Sequence, residues 1–179
     1  MERIGEFTVM AFHNVRNAAA LHDHFKKKKI DAAVIDAAYI VSHLHLSVAL
    51  HRLSTEPLIT ESGAKSVASS STACGTSLVP ERKVTARDVF SSLSHTRNLD
   101  RVLERLTCAS TTTAVVIVLH APSSQHVEGV AAFVEGEPHR LSDNNRYCKE
   151  AAVRDFYGVG EAETGLEAAV VNRLATSGI

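Results

Sequence analysis

Asp31-Ala32-Ala33-Val34-Ile35-Asp36, followed by Ser42 and then His43-Leu44-His45-Leu46-Ser47-Val48-Ala49-Leu50-His51-Arg52-Leu53, is the stretch on which the fold of this 179-residue chain turns. Residues 32–35 form a short apolar run of strand length. Ser42 has the chemistry of a helix cap, and apolar residues then recur at helical spacing to about Leu53, with Leu44 and Val48 expected to face inward. A strand that passes directly into a helix is the unit from which helix-covered sheets are built.

The same alternation extends on both sides. Residues 7–12 read as an earlier strand, and Asn14 is placed to cap a helix over 15–28 with Ala18, Leu21 and Phe25 on one face. Lys26, Lys27, Lys28 and Lys29 fall at its C-terminus, where cations meet the negative end of the helix dipole. Such a run most often serves as a solubilising end. Further on, Thr85 and Asp88 form a capping-box pattern ahead of a short helix to Leu93. Leu99, Val102, Leu103 and Leu106 have helical spacing. Residues 114–120 are the strongest strand signal, and 130–134 read as its partner strand. Residues 147–156 predict a helix stopped at Gly158. Thr164 and Glu167 form a full T-x-x-E box opening a last helix to about Thr176. The chain therefore reads as α/β, a single domain over 1–179 with a mixed β-sheet of about four strands flanked by helices. Residues 54–80, rich in Ser, Thr, Gly and Ala, are expected to be an exposed, low-complexity insertion.

Apolar residues make up 45% and charged residues 22% of the chain, which is a globular balance. A formal net charge of −1 argues against a broadly basic coat but leaves room for a local basic face. No apolar run approaches the ~20 residues that span a bilayer, so no membrane partner is expected. The N-terminus has no apolar signal core. Cys74, Cys108 and Cys148 are odd in number and far apart, which fits free thiols in a reducing compartment. Cytoplasm or nucleus, and not secretion, is the expectation.

Ten histidines invite a metal hypothesis. His43, His45 and His51 share one predicted helix, yet positions two apart point to different faces, and zinc needs three or four converging ligands. His22 and His24 are separated in the same way. No C-x-x-C or H-E-x-x-H is present, and Gly158 and Gly160 do not precede a Lys-Ser/Thr pair. Nothing orients Cys108 or Cys148 toward a base. No catalytic residue, metal or cofactor is expected. The rival reading is a small metal- or cysteine-dependent hydrolase using the histidines.

Five short patterns follow one another along the chain. Val48-Ala49-Leu50-His51-Arg52 closes the helix after the second strand. Then come Asp88, Leu93 and Arg97-Asn98-Leu99, and after them Val115-Val116-Ile117-Val118-Leu119. Tyr157-Gly158-Val159 and Val171-Asn172-Arg173-Leu174-Ala175 complete the set. In this order they resemble the kinase-binding subunit family of the KEOPS (EKC) complex, the TPRKB-like proteins. Asn98 and Leu99 depart from that family's commoner Gln and Ile, and the 54–80 insertion has no counterpart in it.

The resemblance implies a non-catalytic protein that binds and regulates the small atypical kinase/ATPase subunit of KEOPS. Other subunits, including the threonylcarbamoyl transferase, would be indirect partners. It also implies a part in recruiting tRNA by its 3′ CCA end for threonylcarbamoyladenosine modification of ANN-decoding tRNAs. It places part of the last helix, with Leu166, Val170, Arg173 and Leu174, against the kinase. The alternative is that this stripe is simply core. Arg52 and Lys83 stand near the family's basic positions and become candidate tRNA contacts, Arg52 being equally a helix-end cation and Arg97 a structural one. A kinase regulator without an RNA role is the remaining alternative.

Overall fold

Val115, Val116, Ile117, Val118 and Leu119 are all buried, because the strand that carries them lies between two others and is covered on both faces. In the computed structural model, which describes residues 1–55, 84–96 and 98–177, this strand is β4 (Val115–His120). It pairs with β2 (Phe7–His13) on one side and β3 (Ala32–Asp36) on the other. Ile117 stands opposite Met10 in one neighbour and Val34 in the other. β1 (Glu2–Ile4) and β5 (Glu137–His139) share the far edge of β2, so the order is β1-β2-β4-β3 with β5 beside β2. All five strands pair antiparallel. The α/β class and the helix-flanked sheet stand as read, but the sheet is antiparallel throughout where a mixed one was expected, and β1 and β5 are additional short strands.

The period-two alternation of side chains divides the core in two. Phe7, Val9, Ala11, Ala33, Ile35, Val116 and Val118 face one layer. That layer comprises α2 (His43–Thr55), α3 (Ala86–Ser92), α4 (Leu99–Leu106), α6 (Glu150–Tyr157) and α7 (Leu166–Thr176). Met10, Phe12, Val34, Val115, Ile117 and Leu119 face the other layer, α1 (Ala18–Lys27) and α5 (Ser124–Phe133).

Several boundaries follow the expected chemistry. Thr85 and Asp88 close the capping box of α3 from both ends. Ser42 Oγ accepts the His45 N–H at 3.2 Å at the start of α2. Gly158 ends α6 in the left-handed region, φ +63°, where a side chain would meet its own carbonyl.

Other expectations are corrected. Residues 130–133 belong to α5, not to a strand. The Ser123 hydroxyl caps that helix and Val130 turns into the core, while Pro138 on the short edge strand β5 takes the place beside β2. Asn14 caps nothing. It sits at φ +54°, and α1 begins only after Asn17, whose side chain is held by Phe133 O and the Glu135 N–H. Leu44 faces outward at 51% exposure, because Leu46, Ala49, Leu50 and Leu53 set the inner side of α2. The Thr164/Glu167 box does not form: Gly165, at φ +86°, stands at the N-cap of α7, with no side-chain cap hydrogen bond. The expected insertion lies, from residue 56 on, outside the described residues. So do Cys74, Lys83 and Arg97.

Candidate partner-binding face

Helices α2 and α7 lie side by side in the larger helical layer and are clasped at both ends. At their N-termini the Ser42 hydroxyl donates to the Glu167 carboxylate. At their C-termini Arg52 Nη1 donates to Ser177 Oγ at 3.1 Å. Start meets start and end meets end, so the two helices run parallel. Glu167 left its expected capping role for this contact.

The clasp fixes which side of each helix is presented. Leu46, Ala49, Leu50 and Leu53 of α2 and Ala169, Val170 and Leu174 of α7 are buried in the chain's own core. Val170 and Leu174, expected at the kinase, therefore have no surface to offer. Their spacing is that of a helix face, and the core has taken that face. The outward residues are Leu44, Val48 and His51 on α2, spaced i, i+4 and i+7, and Ala168, Val171 and Ala175 on α7, spaced i, i+3 and i+7. Val48 and Val171 are half-buried, while Leu44 is exposed. Among the described residues only Met1 and Leu44 are exposed large hydrophobics. The outer sides of the two helices thus combine apolar residues with polar His43, His51 and Asn172, the composition that interfaces favour.

The other expected site residues have defined places. Leu166 is half-buried against the core. Arg173 grips the loop before its helix: Nη2 lies 2.7 Å from Glu163 Oε1, Nη1 3.1 Å from Oε2, and Nη2 donates to Gly158 O at 3.0 Å. This two-pronged bond, with the Gly160 N–H, holds the Glu163 carboxyl down at about 2. Arg154 ties the same loop through Gly160 O at 2.8 Å. Arg52, besides reaching Ser177, donates to Ser92 O at 3.4 Å, so its guanidinium joins α2, α3 and the end of α7.

Beneath the seam runs a buried polar chain that no local pattern announces. His45 Nδ1 accepts the Val41 N–H at 3.3 Å, and His45 Nε2 lies 3.0 Å from Tyr157 Oη. The Tyr157 hydroxyl donates to Leu93 O at 2.8 Å. Since that proton is committed to the carbonyl, His45 must carry its own on Nε2 and donate it to the tyrosine oxygen. Burial pushes the His45 pKa down to about 4 and the Tyr157 pKa up. Both ring nitrogens are occupied, so this histidine links α2, α3 and α6 and has no position left for a ligand. Burial also raises the thiols of Cys108 to about 12 and Cys148 to about 11, which keeps both protonated and weakly nucleophilic at neutral pH. Among the described residues no group of three or more His, Cys, Asp or Glu is placed to hold a metal ion.

The family model described as kinase binding protein CGI-121 matches residues 12–178. No curated protein matches the chain.

Proposed function

The chain belongs to the CGI-121 family of kinase binding proteins, and from that premise we propose that it is the non-catalytic, kinase-binding subunit of a KEOPS complex, acting in the cytoplasm or nucleus. In this reading it docks the small atypical kinase through the α2/α7 seam and helps to recruit tRNA for threonylcarbamoyladenosine modification. The observation that supports the docking face is Leu44, a large apolar side chain left in solvent on a helix whose other leucines, Leu46, Leu50 and Leu53, are inside. An exposed apolar residue one turn from the half-buried Val48, with the half-buried Val171 on the outer side of the neighbouring helix, supplies the anchor-and-rim composition on which binding energy concentrates.

The test is capture of the small kinase by the full chain and by Leu44→Glu and Val171→Glu variants. Both substitutions are on the outer side, so the variants should fold. Each should weaken kinase binding about thirtyfold or more, the effect of removing ~2 kcal/mol at an interface anchor. If both fold and bind like the parent, the kinase does not use this seam.

A further inference from the structure

The end of α1 gathers charge for which the kinase reading has no use. Lys26, Lys27, Lys28 and Lys29 are consecutive and all exposed. The helix stops among them: Lys28 N–H bonds to His24 O, Lys29 N–H bonds to Lys26 O, and Lys29 turns into the left-handed region at φ +56°. The four side chains therefore fan around one helix end. Among the described residues no ion pair involves any of them. Asp23 and Asp31 are the only carboxylates in the surrounding sequence from His22 to Asp31. Asp31 accepts the Ala86 N–H at 2.8 Å. His22 and Lys26, one turn apart on α1, and Lys29 beyond its end border a recess of about 310 Å³ that reaches Asp31 and Ala86. Arg87, next in the chain after Ala86, is exposed as well.

We propose that this lysine turn is a contact surface for the phosphate backbone of a nucleic acid, and that it, not Arg52, carries most of the chain's electrostatic grip on tRNA. The proposal rests on the RNA half of the function proposed above. Three kinds of polyanion would meet such a patch. A folded acidic protein needs desolvated aromatic or apolar anchors for stable binding. A membrane surface needs an apolar insertion or lipid chain besides the charges. The turn offers neither, since the exposed large hydrophobics among the described residues are Met1 and Leu44, both outside α1. Phosphate-backbone binding requires charge alone, by release of condensed counterions.

The experiment measures binding of the full-length chain to an in vitro transcribed tRNA ending in CCA across a salt series. The parent is compared with a variant carrying Gln at 26, 27, 28 and 29, and with one carrying Arg at all four. Vesicles of phosphatidylcholine and phosphatidylserine serve as a second probe. Expected for the Gln variant is tRNA binding at least about tenfold weaker at ~0.1 M salt. Its log–log salt slope should be shallower by roughly 2 to 4, about 0.9 for each phosphate no longer neutralised. Its melting temperature and kinase capture should be unchanged, and the Arg variant should bind like the parent. An unchanged slope in the Gln variant overturns this proposal while leaving tRNA recruitment standing. A parent that binds no tRNA at low salt overturns both. A parent that binds phosphatidylserine vesicles more tightly than tRNA, through the same lysines, assigns the turn to membranes and overturns it too.

Discussion

His45 shows how one residue changes meaning once its partners are known. Its distance of two positions from His43 already separates the two rings, and the structure leaves His43 exposed and His45 fully buried. Tyr157, 112 positions away, is beyond any local pattern, so the hydrogen-bonded chain to Leu93 was not legible. Tyr157→Phe would leave the His45 N–H and the Leu93 carbonyl without a partner in the core. A loss of about 1–3 kcal/mol is expected, measured by denaturant titration. The acid response also follows. Burial holds His45 near pKa 4, against 6.5 for an exposed ring. Below about pH 6.5 the unfolded chain takes up a proton that the folded one refuses. Stability should therefore fall between pH 6.5 and 4 by roughly 3 kcal/mol and level off below. His95 and His139, also shifted down by burial, act in the same direction. Glu163 works in a separate window, contributing above about pH 4.5 and losing its contribution as the pH falls toward 2. A His45→Asn variant that keeps the full parental pH dependence between 6.5 and 4 would exclude this residue as a source.

At the scale of elements, periodicity identified helices better than it identified their sides. The stripe of α7 was visible as Leu166, Ala169, Val170, Arg173 and Leu174. Spacing alone cannot say whether such a stripe meets the chain's own core or another protein, and here the core takes Val170 and Leu174. In α2 the same limit set Leu44 on the wrong side. The β-branched residues of 130–134 resembled a strand, but Ser123 starts a helix upstream and overrides them. Caps that close locally, as at Thr85 and Asp88, were legible. The Thr164/Glu167 pattern failed because Glu167 answers Ser42, 125 positions away. These placements predict opposite outcomes on one helix. Val170→Glu and Leu174→Glu force a charge into the core, at a cost comparable with the ~5–15 kcal/mol that holds a whole domain. Circular dichroism should show them unfolded. Val171→Glu, one residue from Val170, should give a parental spectrum. A folded Leu174→Glu variant would mean that α7 is not anchored as described.

For the whole molecule, the order of strands and helices and the resemblance spread along the chain were legible early, because both depend on short patterns met in sequence. The pairing of α2 with α7 was not, since its two clasps join residues 125 apart in the chain. That pairing alters the expected role of Arg52. As a phosphate contact, its loss would weaken tRNA binding and spare the kinase. In the folded chain its guanidinium instead connects α2 to Ser92 and Ser177, at the C-terminal end of the proposed docking seam. Arg52→Met keeps much of the aliphatic stem and removes the donors. The expected result is faster amide exchange in the last turn of α7, together with weaker kinase capture, since a seam whose two helices are less firmly aligned must be ordered again on binding. The salt slope of tRNA binding should stay within about 0.9 of the parent, the value of a single phosphate at most. Unchanged exchange and kinase capture, with a slope reduced by the full value of one phosphate, would return Arg52 to the RNA surface and leave the Ser42–Glu167 clasp to hold the helices alone.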